Sequence, residues 1–203
     1  NVPDDVCTDA ATNNNTAAIQ LTIKSDRTLP QLYSVSIASN NTHPDYVGIG
    51  GIVTLTITAS EDIDITGVLI ATKTATFEHP VGNLKNWTAS YTMGASEVLG
   101  QVDLSISFKD LADNTGTPVV ATTNTSKVTY DNTPPTLTSV SISSSNTPSN
   151  TAKVGDVITI LFTADDDIEN VVASINAVPA KSAVVTSLGA RNWKAEYTMP
   201  ATG

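Results

Sequence analysis

The sequence has little basic charge, few aromatic residues, two histidines and a single cysteine. Only 10 of its 203 residues are Lys or Arg, against 20 Asp and Glu, so the net charge is -10. A protein that grips the phosphate backbone of a nucleic acid needs a basic surface, and this class of function is therefore excluded. Cys7 stands alone, which excludes an intrachain disulfide. No apolar run reaches the roughly 18 residues of a membrane-spanning helix, so we expect no membrane span.

Patterns that carry catalysis are also missing. His43 and His79 stand in predicted loops or strand ends, without a second His at metal-ligand spacing. The sequence holds no nucleophile elbow, no Gly-rich phosphate loop and no zinc pattern. We therefore predict a protein that is not an enzyme.

What the sequence does contain is threonine and repetition. The 31 Thr residues favour strands over helices, because Thr is a good strand former and a poor helix former. The segment Leu32–Ile37 recurs as Leu137–Ile142, 105 positions later. At this spacing or one residue more, Val53–Ala59 recurs as Ile158–Ala164, Asp62–Ile63 as Asp167–Ile168, and Asn86–Met93 as Asn192–Met199. Such self-similarity predicts tandem repeats with a period of about 105 residues.

Each repeat alternates apolar with polar residues, the pattern of strands with one buried face. Trp87 and Trp193 stand at equivalent positions of such strands, where we expect them to fill equivalent cores. The predicted strands are 32–38, 52–59, 67–71, 74–78, 86–93, 101–108 and 119–130, and no segment has a helical period. Seven short strands in about 100 residues predict an all-β fold of tandem immunoglobulin-like β-sandwich repeats.

Several of these segments resemble the bacterial Ig-like repeats of large surface adhesins and extracellular stalk or filament proteins. The similar segments are the linker Thr133–Leu137, the Gly-Asp-containing stretch Val154–Thr159, the acidic stretch Ala164–Ile168 and the loop Lys109–Gly116. In that loop, Asp113 replaces the Gly that is usual in the family. The resemblance implies a secreted or cell-surface location and Ca²⁺ held by acids near domain junctions.

The repeat predicts three parts: residues 1–28, the C-terminal part of a preceding repeat or a donor-strand segment; residues 29–133, a complete repeat; and residues 134–203, an incomplete repeat. In this alignment Asp5 lies opposite Asp110 and Asp26 opposite Asp131. Two explanations fit. The chain is a segment of a longer array, or its N-terminal part donates a strand to the incomplete repeat of another copy, giving a head-to-tail polymer.

Acidic residues cluster after the second strand of each repeat, before its last strand and in the linkers. Ca²⁺ takes six to eight oxygen ligands, and closely spaced carboxylates in loops supply them. The candidate calcium ligands are Asp26, Glu61, Asp62, Asp64, Asp110, Asp113, Asn114, Asp131, Asp165, Asp166 and Asp167. The alternative is plain surface acidity that favours solubility.

Four Asn-x-Ser/Thr sequons are candidate glycosylation sites, at Asn14, Asn40, Asn86 and Asn124. They matter only in an organism that glycosylates its surface proteins.

Together these features predict a non-enzymatic structural or adhesive module of an extracellular or cell-surface protein: a stalk, a filament or an adhesin scaffold. Its expected partners are neighbouring repeats, copies of itself, and host or surface glycans. The alternative is an accessory or carbohydrate-binding Ig-like module of a secreted polysaccharide-active enzyme. For that function Tyr33 and Tyr46 are the only candidate sugar-stacking residues outside the repeated strands.

Overall fold

A computed structural model describes residues 2–19, 22–175 and 181–201 of the chain. The chain forms two units, residues 1–132 (unit 1) and residues 133–203 (unit 2). All regular structure in the described residues is β, which confirms the predicted all-β class. No described helix has the length and apolar character needed to cross a bilayer.

Unit 1 contains two larger antiparallel sheets and one small sheet. Its strands are β1 (Leu32–Ser39), β2 (Tyr46–Val47), β3 (Ile52–Ala59), β4 (Ile63–Ile70), β5 (Lys73–Thr74), β6 (Thr76–Glu78), β7 (Asn86–Thr92), β8 (Gly100–Gln101), β9 (Leu104–Asp110) and β10 (Thr129–Tyr130). The first sheet has the order β1-β3-β7-β6, the second β5-β4-β9, and the small one β2-β10-β8. Within the small sheet, β10 runs parallel to β2 and antiparallel to β8.

The buried faces of the two larger sheets contribute to one hydrophobic core, as in a β-sandwich. Alternation along β3 buries Val53, Leu55 and Ile57, while the intervening threonines lie on the other face. Along β9 the buried residues are Leu104, Ile106 and Phe108. Both sets match the period-2 prediction. Trp87 is also buried, and its indole Nε1 donates a 2.8 Å hydrogen bond to the carbonyl of Leu84.

The prediction of a continuous strand over 119–130 is wrong. Only Thr129–Tyr130 form a strand there, preceded by an isolated bridge between Val119 and Ile106. Between them, side-chain hydroxyls bond to β1 beside one backbone bond, from the N–H of Thr123 to the carbonyl of Val35 at 2.9 Å. The hydroxyls of Thr123 and Ser126 accept hydrogen bonds from the backbone N–H groups of β1 at Val35 and Ile37, at 3.0 and 2.9 Å. Hydroxyl side chains that compete for backbone groups in this way disfavour a regular ladder.

Other strand boundaries also differ from the prediction. The strand predicted at 67–71 begins earlier, at Ile63, because β4 pairs with β9 from Ile63↔Asp110 to Ile70↔Leu104. The strand predicted at 74–78 divides into β5 and β6, and the one at 101–108 into β8 and β9.

Unit 2 contains a four-stranded sheet with the order β11-β12-β16-β15. The strands of unit 2 are β11 (Leu137–Ser144), β12 (Val157–Ala164), β13 (Ser174–Ile175), β14 (Lys181–Ser182), β15 (Val184–Gly189) and β16 (Asn192–Thr198). Within the described part of unit 2, the short strands β13 and β14 pair only with each other. Trp193 is half-buried and stacks on Phe162 with ring centroids 6.5 Å apart.

The strand pairing of unit 1 recurs in unit 2. The pair β1–β3 has Val35 opposite Ile57, and β11–β12 has Val140 opposite Phe162, 105 positions on. Each pair carries a register shift at its first residues, at Leu32/Ser34 and Leu137/Ser139. Outside the ladders, the N–H of Gly50 donates to the carbonyl of Met93, and the N–H of Gly155 to that of Met199. The repeated sequence therefore encodes repeated local hydrogen bonding.

The N-terminal hairpin, residues 2–19, repeats a different part of unit 1. Asp110 Oδ1 accepts hydrogen bonds from the N–H groups of Ala112 and Asn114, and Asp9 Oδ1 accepts from those of Ala11 and Asn13.

Three further features show the same correspondence, with an offset of 101 residues. In both loops the Asn side chain donates to Oδ2 of the Asp, at 3.0 Å from Asn13 and 2.7 Å from Asn114. The fourth loop residue has a left-handed backbone in both, with φ of 68° at Thr12 and 66° at Asp113. Bridges flank the two loops, at Thr8↔Asn14 and Lys109↔Thr115. The structural counterpart of Asp110 is therefore Asp9, and the alignment with Asp5 is wrong.

Candidate functional site

Three acidic side chains from distant parts of unit 1 meet at one place. Asp26, Glu61 and Asp110 each offer a carboxylate oxygen, and these oxygens lie within 4.8 Å of one another. Asp26 is exposed, Glu61 is half-buried and Asp110 is buried. Among the described residues this is the one such group of three or more potential metal ligands.

The ends of strands position these carboxylates. Asp110 is the last residue of β9, and Glu61 lies between β3 and β4. Asp26 precedes β1 and accepts a 2.9 Å hydrogen bond on Oδ1 from the N–H of Thr28, which turns the chain. Its backbone carbonyl accepts a hydrogen bond from the side chain of Asn114 at 3.4 Å, which ties the two segments together.

Asp110 is held as a carboxylate by its own loop. Burial by itself would raise its pKa, but the side chain of Asn114 and the N–H groups of Asn114 and Ala112 donate to it and outweigh burial. The pKa of Asp110 therefore lies below its usual value. Oδ1 takes two of these bonds, at 2.8 Å each, and Oδ2 takes one, at 2.7 Å.

Four predicted calcium ligands near this group are not part of it: Asp62, Asp64, Asp113 and Asn114. Asp113 pairs with Lys109 at 2.5 Å, and this contact raises the pKa of Lys109, with a smaller contribution from Asp64. Asp64 lies opposite Lys109 in the β4–β9 ladder. These two carboxylates therefore neutralise a lysine. Asp62 is exposed between β3 and β4, and Asn114 acts through its hydrogen bonds to Asp110.

The acidic group fits a calcium ion in part. The carboxylates of Asp26, Glu61 and Asp110 supply three hard oxygen ligands, and Ca²⁺ requires six to eight. The remainder would come from water and backbone carbonyls. Three carboxylates at this distance repel one another, and a divalent cation between them would relieve that repulsion.

The acidic stretch of unit 2 is organised differently. Asp165 accepts two hydrogen bonds from Thr136, at 2.7 Å from its N–H and 2.5 Å from its hydroxyl, and the side-chain bond is the main cause of a lowered pKa. Arg191 forms ion pairs with Asp166 at 3.3 Å and Asp167 at 3.1 Å. A cation of the protein itself thus offsets part of the negative charge of this stretch. Asp131 is half-buried after β10, where its N–H donates to the carbonyl of Val47.

The four sequon asparagines are exposed, and each uses its side chain in a hydrogen bond. Asn14 donates to Asp5 at 2.7 Å. The amide oxygens of Asn40, Asn86 and Asn124 accept bonds from Ile52 N–H, Thr58 hydroxyl and Ser126 N–H, respectively.

Aromatic side chains suited to stacking on a sugar lie at two places in unit 1. Tyr33 on β1 and Tyr46 on β2 are exposed.

The imidazole of His79 lies against Trp87, with ring centroids 4.4 Å apart, and its Nδ1 is 3.0 Å from the carbonyl oxygen of Pro80.

Two buried acids, Glu97 and Asp156, are absent from the predicted site residues. Glu97 is buried, and its Oε1 accepts a 2.6 Å hydrogen bond from the hydroxyl of Tyr91. Glu97 follows Gly94-Ala-Ser in a polar segment, so no local pattern distinguishes it from a surface residue.

The chain matches no protein-family model, and comparison with curated proteins and with solved structures gives no significant match. The resemblance to adhesin and stalk repeats therefore stays a prediction.

Proposed function

We propose that this chain is a tandem array of Ig-like β-sandwich repeats that acts as a non-enzymatic structural module of an extracellular or cell-surface stalk, filament or adhesin. The observation that carries the proposal is the arrangement of the terminal segments of unit 1. The segment 123–130 runs in the same direction as β1, as the contacts Val35–Thr123 and Ile37–Ser126 show. The parallel pair β2–β10 continues this direction.

Parallel terminal segments suit a module that carries tension. The chain enters the two larger sheets of unit 1 at β1 and leaves the unit after β10, so tension on the chain slides these two segments past each other. The hydrogen bonds between them are then loaded together instead of one after another. Forced unfolding depends on the unfolding rate, and bonds loaded in shear slow that rate.

The strand orders favour the Ig-like assignment. An Ig-type sandwich places its first, second, fifth and fourth strands in one sheet. The order β1-β3-β7-β6 matches this when β4 and β5 are taken as the third strand and its extension. The recurrence of the same pairing in β11, β12 and β16 favours an array of such modules.

Single-molecule pulling on the ends of the 203-residue chain tests the proposal. We expect unit 1 to unfold in one resolved high-force step. The double variant Thr123→Val/Ser126→Ala, which removes the hydroxyls bonded to β1, should lower that force. The matched control is Thr76→Val. It removes a hydroxyl that donates to the carbonyl of Ser90 at 3.2 Å, at the opposite edge of the same sheet. Unfolding of unit 1 at low force, or an equal drop in unfolding force in the control variant, would contradict a role in carrying tension.

The second candidate function is that of an accessory or carbohydrate-binding module. The exposure of Tyr33 and Tyr46 favours it, because aromatic faces stack on sugar rings. Titration with soluble polysaccharides tests it, with Tyr33→Ala and Tyr46→Ala as variants. Binding that these changes abolish would support this function over a purely structural one.

A further inference from the structure

We propose that the open face of unit 2 is completed by the N-terminal hairpin, residues 2–19, and the following residues of a second copy of this chain. This inference rests on the proposed repeat architecture and adds a partner and a docking surface to it. The donated element is the hairpin with the residues that follow it, which together correspond to β9 and the segment 115–130 of unit 1.

The apolar face of β11 is exposed in unit 2. Val140 and Ile142 are 61% and 67% exposed, whereas their equivalents in unit 1, Val35 and Ile37, are 0% and 5% exposed. The outer edge of β1 also receives the hydroxyls of Thr123 and Ser126. Among the described residues of unit 2, no side chain makes the corresponding contacts with β11.

A second part of unit 2 lacks the pairing that its equivalent has. Residues 168–175 correspond to β4, which pairs along its whole length with β9. In unit 2 only Ser174 and Ile175 of this stretch form a strand, and Val172 is exposed. The contacts that the described residues of unit 2 do not make are therefore those that β9 and the segment after it provide in unit 1.

The N-terminal hairpin has the form of that missing element. Its Asp9 loop reproduces the hydrogen bonds of the Asp110 loop, so Cys7 and Asn15 correspond to Phe108 and Gly116. Ile23, three residues before Asp26, corresponds to Val128, three residues before Asp131. Ile23 is 93% exposed and Val128 is fully buried. The residues after the hairpin thus include an apolar side chain whose equivalent in unit 1 is buried.

Local charge fits as well. In unit 1 the carboxylate of Asp110 lies beside that of Glu61, so docking would bring Asp9 beside Asp166, the equivalent of Glu61. Asp166 already pairs with Arg191, which also reaches Asp167. The guanidinium is positioned to share its charge with the arriving Asp9.

Two variants, each of which retains only one side of the proposed contact, test the proposal by light scattering after size-exclusion chromatography. Deleting residues 1–25 removes the donor, and Ile142→Lys blocks the acceptor face. We expect the 203-residue chain to form concentration-dependent oligomers and each variant alone to be monomeric. An equimolar mixture should form a 1:1 complex and stop there, because one variant offers only the acceptor and the other only the donor. Leu161→Lys, on the opposite face of the same sheet, should oligomerise like the unchanged chain.

Disulfide trapping checks the register. Phe108 lies opposite Ile65 in the β4–β9 ladder, so Cys7 of one copy should lie opposite residue 170 of the next. Oxidised glutathione should therefore convert Asn170→Cys into a covalent ladder. The ladder should be absent from Leu161→Cys and from Asn170→Cys/Cys7→Ser.

Three outcomes would overturn the proposal. A monomeric unchanged chain at every concentration would show that the hairpin does not dock. Oligomers of the deletion variant would show that unit 2 faces pair with each other. Trapping at Leu161→Cys equal to that at Asn170→Cys would show non-specific contact. Pulling on single chains measures the strength of unit 1 without any oligomer, so the proposed structural function stands or fails separately.

Discussion

The hydroxyl oxygen of Tyr91 lies 2.6 Å from Oε1 of Glu97 and holds a buried carboxylate inside unit 1. The other carboxylate oxygen, Oε2, has no hydrogen-bond partner among the described residues. The bond from Tyr91 is the main cause of a pKa of Glu97 below its usual value, against the opposing effect of burial. The same bond raises the pKa of Tyr91. Folding therefore favours the ionised form of this acid.

This shift predicts loss of stability in acid. A carboxylate with a lower pKa in the folded state stabilises the fold fully above its unfolded pKa, about 4.3 for Glu. That contribution disappears as the pH falls through the lower folded pKa. Unfolding in urea between pH 6 and pH 3, roughly the range around these pKa values, should show unit 1 weakening most steeply below the unfolded pKa. Tyr91→Phe should make this decline shallower, because it removes the main cause of the shift.

A control separates Glu97 from acids elsewhere, since Asp110, Asp156 and Asp165 also have lowered pKa values. Glu97→Gln should flatten the pH dependence, whereas Glu78→Gln, an exposed change on β6, should leave it intact. Equal pH profiles for Glu97→Gln and the unchanged chain would contradict this account. Every protein compared carries Trp193→Phe as well. Trp87 is then the only tryptophan, so fluorescence reports the unfolding of unit 1 alone.

Matched substitutions in the two units should differ strongly in cost. Ile37→Ala creates a cavity in the core of unit 1 and should lower its free energy of unfolding by about 2–5 kcal/mol. Ile142→Ala changes an equivalent but exposed side chain, and its effect on the isolated monomer should stay within about 0.5 kcal/mol. Denaturant titration of dilute protein measures both. A large cost at Ile142 under these conditions would mean that unit 2 already covers this face in the monomer.

The close approach of Gly116 to Phe108 predicts a size-dependent clash. A Cβ at Gly116 would lie 2.2 Å from the Phe108 ring, so Gly116→Ala should destabilise unit 1 by about 1–3 kcal/mol. Gly67→Ala is the control, because its Cβ would meet no atom within 4 Å. At the equivalent positions of the N-terminal hairpin, Cys7 is smaller than Phe108 and Asn15 is larger than Gly116. Phe108→Cys should therefore reduce the cost of Gly116→Ala in a double-mutant cycle, and a cost unchanged by Phe108→Cys would contradict the clash.

Calcium binding to the acidic group predicts a shift in thermal unfolding. A ligand that binds only the folded state raises the melting temperature by mass action. The melting temperature of unit 1 should be higher in millimolar Ca²⁺ than in EDTA, and Glu61→Gln should reduce that difference. Glu78→Gln provides a carboxylate-to-amide control away from the group. Superimposed curves in Ca²⁺ and EDTA would leave the acids without a calcium role.

Much of the strand structure could be predicted because its signal is local. The alternation in β3 and β9 fixes which side chains share a face, whatever the rest of the chain does. The Asp110 loop was less predictable. Its family-like spacing was visible, but its match to the Asp9 loop depends on hydrogen bonds and a left-handed residue that a simple 105-residue alignment misses.

The sequence by itself determined the all-β class, the repetition and the residues that face the core of unit 1, because strand alternation and composition act over a few residues. Only the tertiary structure decided that Asp26, Glu61 and Asp110 meet, because loops far apart in sequence come together when the sheets pack. It also decided that Val35 is buried while Val140 is exposed. Similar local sequence gives similar strands, but burial depends on whatever packs against them.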